Sequence, residues 1–446
     1  MRNEIRIRIR AVNIKNMKAI IFLSIFCVLI PGPIIIGKPG ENVPSEWWFE
    51  CHRDAIAPVY QIDQEVKFRD EPTLYLSGGG KEYADGRWTK EQKINSGEYY
   101  KFNVFYKAQK VDEPERCILG RILWLDVQGK QVGEAEYPIF LREKSREGWN
   151  MIGQVYLVPQ KVNRAKIELV YRWDADGEVR FGGFSFEKSD PVKPRLVRLG
   201  TAHYKPHRST GWQENLEKYA ELVRKAAAEK ADIVCLPESI TMVGTGLGYV
   251  QASQPIPGPA TDFLGKVARE NQIYIVAGIL EKSGNEVFNS SVLIDRNGEL
   301  AGVYHKVSLP REEIDGGITP GNSLPVFDTD FGRIGMMICW DVTFPEVARG
   351  LAREGAEIIL MPIAGGNLTL ASARAIENQV YLVSSTYDMK SAVFDLEGKI
   401  LVEATHEDPV AVTEVDLNRQ KLWPWLGDFK NRIFREIPSG KAVGSK

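Results

Sequence analysis

Three residues with chemically active side chains each stand at the end of a short apolar segment that is predicted to be a strand. Glu238, Lys306 and Cys339 lie in the contexts L-P-E, Y-H-K and C-W-D, in that chain order. Strand ends can converge at one edge of a sheet, and a thiol at a strand-to-helix corner is accessible on its outer side. A thiolate is a strong nucleophile, so the three residue types together predict attack on a polarised carbonyl carbon.

Each of the three residue types has a role in such a reaction. Glu238 can take the proton of the Cys339 thiol and later donate it to a departing nitrogen. Lys306 and the backbone N–H of Trp340 can stabilise the oxyanion, and such donors contribute about 3–4 kcal/mol each in other hydrolases. A Cys-His dyad with His305 or His203 as the base is the alternative. It is less favoured, because neither histidine is predicted at a strand end that faces Cys339.

Composition excludes several other classes of protein. The chain has 446 residues, a net charge of −2 and a pI near 6.3, so no basic field attracts nucleic acid. Its five cysteines contain no C-x-x-C pair, and no cluster with metal-ligand spacing is present. We therefore expect an enzyme without a metal or other cofactor.

Residues 1–43 have the pattern of a segment for export. A basic stretch precedes an apolar run over residues 19–30, which Pro31 and Pro33 then interrupt. This length is typical of a cleaved secretory signal, although a membrane anchor over residues 19–37 is the alternative. We expect an exported protein that is periplasmic, extracellular or tethered to a membrane.

Residues 44–190 are predicted to form an all-β sandwich domain. Alternating apolar and polar residues over 99–106, 121–125 and 166–173 indicate half-buried strands, and glycine-rich turns separate them. The motif W-L-D-V-Q-G at 124–129 resembles galactose-binding-like modules, so a carbohydrate contact is one hypothesis. Its candidate aromatic residues, which core packing would explain equally, are Trp88, Tyr99, Tyr100, Trp124 and Trp149. In an exported protein, Cys51 and Cys117 could also form a disulfide.

Residues 191–446 have a different pattern, in which strands and helices alternate. A proline-containing linker at 189–194 precedes this region. A helical stripe over 213–230 lies between strand-like runs, and the same alternation recurs along the chain. The pattern predicts a layered α/β domain.

The combination of motifs in this second domain resembles the nitrilase superfamily of carbon–nitrogen hydrolases. L-P-E, H-K and C-W-D-x-x-F-P-E are supported by R-A-I-E-N at 374–378 and T-P-G at 319–321. The resemblance implies a four-layer α-β-β-α sandwich, a Glu238-Lys306-Cys339 triad and a homodimer. It also implies a second glutamate after the lysine, for which Glu313 fits the spacing better than Glu312. Ser308 stands where many members have histidine.

The resemblance implies hydrolysis of an amide-type bond in a small molecule, either a carboxamide or an N-carbamoyl group. Nitrile-cleaving members typically continue from the nucleophile with Trp-Glu-Asn, whereas Trp340, Asp341 and Val342 follow Cys339 here. An acyltransferase that uses the same thioester and a catalytically silent binding protein are the alternatives.

Export predicts where a reporter will be active. A reporter fused after Asp190 is expected to function only outside the cytoplasm, and the mature chain is expected to begin after residues 31–33 or to stay tethered through them. Reporter activity in cell fractions and sequencing of the mature N-terminus test this. Activity in the cytoplasm would refute export and would remove the reason to expect a disulfide.

Overall fold

The computed structural model describes residues 35–37, 46–419, 422–423, 427–428, 430–433 and 435–436. The apolar run at 19–30, predicted as part of a signal, lies outside these residues. No helix in the described part of the chain is both long enough and apolar enough to cross a membrane.

The N-terminal region is built almost wholly from antiparallel strands. Its elements are β1 (Ile35–Gly37), β2 (Trp48–Cys51), β3 (Val59–Phe68), β4 (Glu71–Ser77), β5 (Asp85–Lys93), β6 (Tyr99–Gln109), the short helix α1 (Pro114–Cys117), β7 (Ile118–Leu125), β8 (Ile139–Arg146), β9 (Trp149–Leu157), β10 (Arg164–Arg172) and β11 (Glu178–Lys188). They form one sheet in the order β1-β2-β5-β10-β7 and another in the order β3-β4-β11-β6-β9-β8. β1 lies in the segment predicted as signal or anchor and pairs with β2.

The core between these two sheets is rich in aromatic side chains. Phe102, Trp124 and Phe186 are among its buried members, since alternate residues of each strand point inward. The prediction of an all-β sandwich is therefore confirmed. Of the aromatic residues considered for sugar stacking, Tyr99 is half-buried and the others are in the core: Trp88, Tyr100, Trp124 and Trp149. The buried four present no ring face to a sugar.

Cys51 and Cys117 are buried free thiols, so the suggested disulfide is absent. The reason is the strand order of their sheet. Cys51 ends β2 and Cys117 directly precedes β7, and β5 and β10 lie between these two strands. Three strand spacings of about 4.8 Å separate β2 from β7, whereas a disulfide requires Cα atoms within about 7 Å.

The C-terminal region alternates strands and helices. Its elements are β12 (Leu196–Ala202), α2 (Trp212–Ala228), β13 (Ile233–Cys235), α3 (Tyr249–Ala252), α4 (Pro259–Asn271), β14 (Tyr274–Ser283), β15 (Glu286–Ile294), β16 (Leu300–His305), α5 (Arg311–Asp315), β17 (Val326–Asp328), β18 (Arg333–Met336), α6 (Pro345–Arg353), β19 (Ile358–Pro362), α7 (Leu368–Asn378), β20 (Tyr381–Ser385), β21 (Ser391–Phe394), β22 (Ile400–Ala404), β23 (Val410–Asp416), β24 (Leu422–Trp423), β25 (Gly427–Asp428) and α8 (Lys430–Ile433). A 3-10 turn covers Cys339–Thr343.

Two six-stranded sheets organise this region. The first sheet has the order β16-β15-β14-β13-β12-β23 and the second sheet the order β17-β18-β19-β20-β21-β22. In each, three neighbouring strands are parallel and the flanking strands are antiparallel. The two sheets pack face to face through apolar side chains, among them Leu199, Val276, Ile338 and Leu360.

Helices cover the outer face of each sheet and complete four layers. In α2 the buried residues Leu216, Tyr219, Ala220 and Val223 recur at helical spacing and pack with α4 against the first sheet. Helices α6 and α7 pack in the same way against the second sheet. The predicted α-β-β-α sandwich is therefore confirmed.

Candidate functional site

The predicted site residues lie close to the ends of strands in both sheets. Glu238 follows β13 by three residues and Lys306 directly follows β16, so both belong to the first sheet. Cys339 follows β18 of the second sheet and opens the 3-10 turn. Because the two sheets are packed face to face, these three strand ends can meet at one place.

Lys306 lies at the centre of a buried cluster of charges. Its ammonium nitrogen Nζ donates to Glu238 Oε1 at 2.9 Å and to Glu313 Oε1 at 2.6 Å. The exposed fractions of these residues are 1% for Lys306, 4% for Glu238 and 5% for Glu313. Glu312 is exposed, so of the two glutamates considered for this role it is Glu313 that reaches Lys306.

Asn289 joins the same cluster, and the sequence analysis did not identify it. Its amide nitrogen Nδ2 donates to Glu238 Oε1 at 2.7 Å and to Glu313 Oε1 at 3.0 Å. A signal for it exists in the sequence. Asn289, Ser290 and Ser291 are three consecutive polar residues between apolar residues of strand β15, and buried polar side chains require specific partners.

The protonation states follow from burial and from the neighbouring charges. Burial alone would raise the pKa of Glu238, but Lys306 and the hydrogen bonds outweigh it and hold this pKa below its ordinary value. Burial, joined by the charge of Glu238, raises the pKa of Glu313. Burial opposes the charge on Lys306, yet its anionic neighbours raise the pKa of this ammonium overall. Glu238 is therefore a carboxylate and Lys306 a permanent cation near neutral pH.

The thiol of Cys339 is protonated at rest. Burial first and the Glu238 carboxylate second raise its pKa to about 12. The thiol donates to the backbone carbonyl of Gly365 at 3.9 Å. Since the thiolate is the reactive form, a reaction at this thiol requires a base, and Glu238 is the carboxylate whose charge acts on it.

The segment around Glu238 is held from several sides. Its second oxygen Oε2 accepts the backbone N–H of Ala364 at 2.9 Å, and its backbone carbonyl accepts the Tyr387 hydroxyl at 2.8 Å. Gly278 lies beneath it, where a Cβ would come within 2.6 Å of the Glu238 Cα. This close approach requires glycine at position 278.

The 3-10 turn at Cys339–Thr343 has an unusual backbone conformation at its first residue. Cys339 has a φ of 44°, a left-handed conformation that is uncommon for a residue other than glycine and is frequent at functional sites. The backbone N–H of the next residue, Trp340, donates to no acceptor within the described part of the chain. It is available to a negative charge that forms beside the sulfur.

Asp341 connects this turn to the lysine segment. Its fully buried carboxylate accepts the backbone N–H of Ile338 at 2.9 Å, the backbone N–H of Ser308 at 2.9 Å and the Tyr304 hydroxyl at 2.7 Å. Ile338 precedes the nucleophile, whereas Tyr304 and Ser308 flank Lys306. Asp341 therefore ties the second sheet to the first at the site.

Arg374, from the R-A-I-E-N motif, supports the other end of the turn. It is buried and donates to the backbone carbonyl of Val342 at 3.0 Å and to that of Thr343 at 3.3 Å. Glu377 holds the guanidinium at 2.6 Å. The motif thus fixes the 3-10 turn against α7.

The two histidines considered as bases are engaged elsewhere. His305 Nε2 lies 2.8 Å from Glu281 Oε2, and its ring stacks on Phe288. His203 Nδ1 lies 3.2 Å from the hydroxyl of Ser391. The charges that act on the Cys339 thiol are those of Glu238 and Lys306, and both histidines have other partners, so the structure disfavours a Cys-His dyad.

The described residues contain no group of three or more His, Cys, Asp or Glu side chains arranged to hold a metal ion. The chemistry available at the site is that of a thiol, a base, a cation and backbone donors.

Comparison with known proteins gives matches to the C-terminal domain. The carbon-nitrogen hydrolase family model matches residues 198–424. The omega-amidase of Mus musculus is 31% identical over 233 residues, which are 46% of this chain and 84% of that protein. A nitrilase of Pyrococcus abyssi is 36% identical over 247 residues, which are 49% of this chain and 91% of that protein. A crystal structure of an amidase from Nesterenkonia sp. is 25% identical, with a TM-score of 0.45, and the match covers 50% of this chain and 92% of that one.

Replacement of Asp341 tests the connection between the turn and the lysine segment. In Asp341→Asn an NH2 group replaces one of the carboxylate oxygens. This group is a donor and cannot accept the hydrogen bond that the oxygen accepted, so we expect a loss of about 1–3 kcal/mol in the free energy of unfolding. Tyr304→Phe is the matched control, because it removes one donor and should cost about 1 kcal/mol. Denaturant unfolding measures both. An Asp341→Asn protein as stable as the wild type would contradict this role.

Proposed function

Because the chain belongs to the carbon-nitrogen hydrolase family, we propose that it hydrolyses an amide-type bond, a carboxamide or an N-carbamoyl group, through a thioester on Cys339. One observation carries the proposal. A buried carboxylate, Glu238, lies close enough to the Cys339 thiol to raise the pKa of that thiol, and it accepts a hydrogen bond from the ammonium of Lys306. This is the arrangement that a thiol requires to attack an amide carbon.

In the first step Glu238 takes the thiol proton while the sulfur bonds to the amide carbon. The pair begins as thiol and carboxylate, because the pKa of the thiol is raised and that of Glu238 is lowered. Proton transfer and attack must therefore occur together. Lys306 and the Trp340 N–H stabilise the negative oxygen that results.

In the second step Glu238 returns its proton to the nitrogen, which leaves as an amine or ammonia. The C–N bond breaks and a thioester remains on Cys339. Glu238, again a carboxylate, then takes a proton from water as the water oxygen attacks the thioester carbon. The acid is released, and the proton on Glu238 returns to the sulfur.

Glu313 keeps the ammonium in place through this cycle. Its carboxyl group accepts a hydrogen bond from Lys306 at 2.6 Å, and it anchors Lys306 while Glu238 gains and loses a proton. The proposed set of catalytic and supporting residues is thus Glu238, Lys306, Cys339 and Glu313.

Export and dimer formation complete the proposal. The apolar segment at 19–30 supports export. Trp340 and Phe344 are exposed beside the nucleophile turn, with exposed fractions of 43% and 40%, and they support a contact with a second copy of the chain.

Replacing two cysteines separately tests the nucleophile. Cys339→Ala is expected to reduce kcat by roughly four orders of magnitude or more, with the fold intact. Cys235→Ala, the control, removes a fully buried thiol from the core between the sheets. It should cost roughly 1 kcal/mol of stability and keep activity. Steady-state kinetics and thermal unfolding measure both. Near-normal turnover by Cys339→Ala would exclude the thioester mechanism.

Matched substrates test the choice of an amide over a nitrile. The same side chain is offered as carboxamide and as nitrile, and we expect a higher kcat/KM for the amide. An amide presents an oxygen to Lys306 and a leaving nitrogen to Glu238, whereas a nitrile must first gain a proton on nitrogen. Released ammonia is measured for both substrates. A higher kcat/KM for the nitrile would overturn the assignment.

A further inference from the structure

We propose that Asn289 is a positioning residue that holds the carboxylates of Glu238 and Glu313 together at the ammonium of Lys306. This inference rests on the proposed function, because it concerns the base of that reaction. Nothing in the motifs of the sequence assigns a role to Asn289.

The hydrogen bonds form a closed four-atom arrangement. Lys306 Nζ and Asn289 Nδ2 are the two donors, and the Oε1 atoms of Glu238 and Glu313 are the two acceptors. Each acceptor receives one bond from each donor. An amide nitrogen carries two hydrogens, so Asn289 can make both of its bonds at once.

The charges explain why an uncharged donor is needed here. Two carboxylates close to one ammonium repel each other and retain an excess negative charge when both are ionised. Repulsion of this kind raises the pKa of one member of a pair. Asn289 adds a hydrogen bond to each carboxylate without adding a charge, whereas an aspartate would add a third negative group.

The position of Asn289 is suited to this task. It lies within β15, its exposed fraction is 1%, and its backbone carbonyl accepts the N–H of Lys306 at 2.9 Å. The same residue therefore contacts the lysine through its backbone and both glutamates through its side chain. A strand in the middle of a sheet holds these contacts rigidly.

The side-chain oxygen of Asn289 indicates that this residue does more than fill space in the core. Asn289 Oδ1 is buried and has no hydrogen-bond partner among the residues that the structure describes. A buried acceptor without a partner destabilises the fold, so an apolar residue of similar size would suit the core better. The two bonds made by Nδ2 are the contacts that compensate.

Several titratable groups face Glu238 from the elements around it, and each influences its charge. They are Lys306 after β16, Glu313 in α5, Cys339 in the 3-10 turn, Tyr249 in α3 and Tyr387 after β20. Asn289 is the uncharged donor of this group, and its bonds lower the pKa of both carboxyl groups. Its loss should therefore raise both pKa values.

The test is a direct titration of the two carboxyl groups in Asn289→Ala. Full-length protein labelled with 13C at the glutamate carboxyl carbon is followed by NMR against pH, and the signals are assigned by their absence in Glu238→Gln and Glu313→Gln. We expect both carboxyl groups to titrate about one pH unit higher than in the wild type. The acidic limb of kcat/KM on a carboxamide should move in the same direction, with about a tenfold loss of rate on its acidic side.

Two further variants at position 289 grade the effect. Asn289→Ser retains one donor in a small side chain and should give a shift of intermediate size. Asn289→Asp adds a carboxylate and should give a larger shift than alanine. If Asn289→Ala does not fold, the comparison of Asn289→Ser with the wild type still tests the proposal. Both carboxyl groups should titrate at a higher pH in Asn289→Ser than in the wild type.

A matched buried asparagine separates positioning from stability. Asn378 is fully buried, and its amide donates to the backbone carbonyl of Arg374 instead of to a carboxylate. Asn378→Ala should lower the unfolding midpoint without moving either carboxyl titration. Unchanged titrations in the position-289 variants, with only reduced stability, would overturn the proposal. If the wild-type protein shows these titrations of Glu238 and Glu313 but hydrolyses no amide, the proposed function is refuted. The positioning role of Asn289 then still stands.

Discussion

The interaction on which the rest of the site depends is the burial of the Lys306 ammonium between two carboxylates. Removing charged groups from water costs several kcal/mol per ion, and only close opposite charges and complete hydrogen bonding offset that cost. In this protein Glu238 and Glu313 provide the opposite charges, and Asn289 adds a hydrogen bond to each of them. Breaking a buried pair from one side typically destabilises a protein by about 3–5 kcal/mol. The site and the stability of the domain are therefore physically linked.

This arrangement explains the division of labour between the two sheets. In the proposed reaction the first sheet supplies the base and the cation, Glu238 and Lys306, and the second supplies the nucleophile, Cys339. A shift of one sheet against the other would separate base from thiol. The apolar core between the sheets resists such a shift, and the carboxylate of Asp341 bridges them with two hydrogen bonds, from Tyr304 and Ser308. The strained backbone at Cys339 is sustained by these surroundings.

The N-terminal sandwich has a separate core, because its buried cluster draws only on residues 47–186. The family match begins at residue 198, after the linker at 189–194. Each region therefore has an apolar interior of its own, as expected for domains joined by a proline-containing linker. The burial of Trp88, Tyr100 and Trp124 shows that these aromatic residues serve this core.

The sequence by itself determined the fold class of both domains and marked the candidate catalytic residues. Alternation with a period of two predicts strands, helical spacing predicts α2, and local motifs mark Glu238, Lys306 and Cys339, because all of these signals are contained in short segments. Only the tertiary structure decided which groups meet. The contacts of Asn289 with the two carboxylates span 51 and 24 residues, the tie from Asp341 to Tyr304 spans 37, and Cys51 and Cys117 are kept apart by the order of four strands. No local pattern encodes such pairings, since they arise from how the sheets order their strands and pack their faces together.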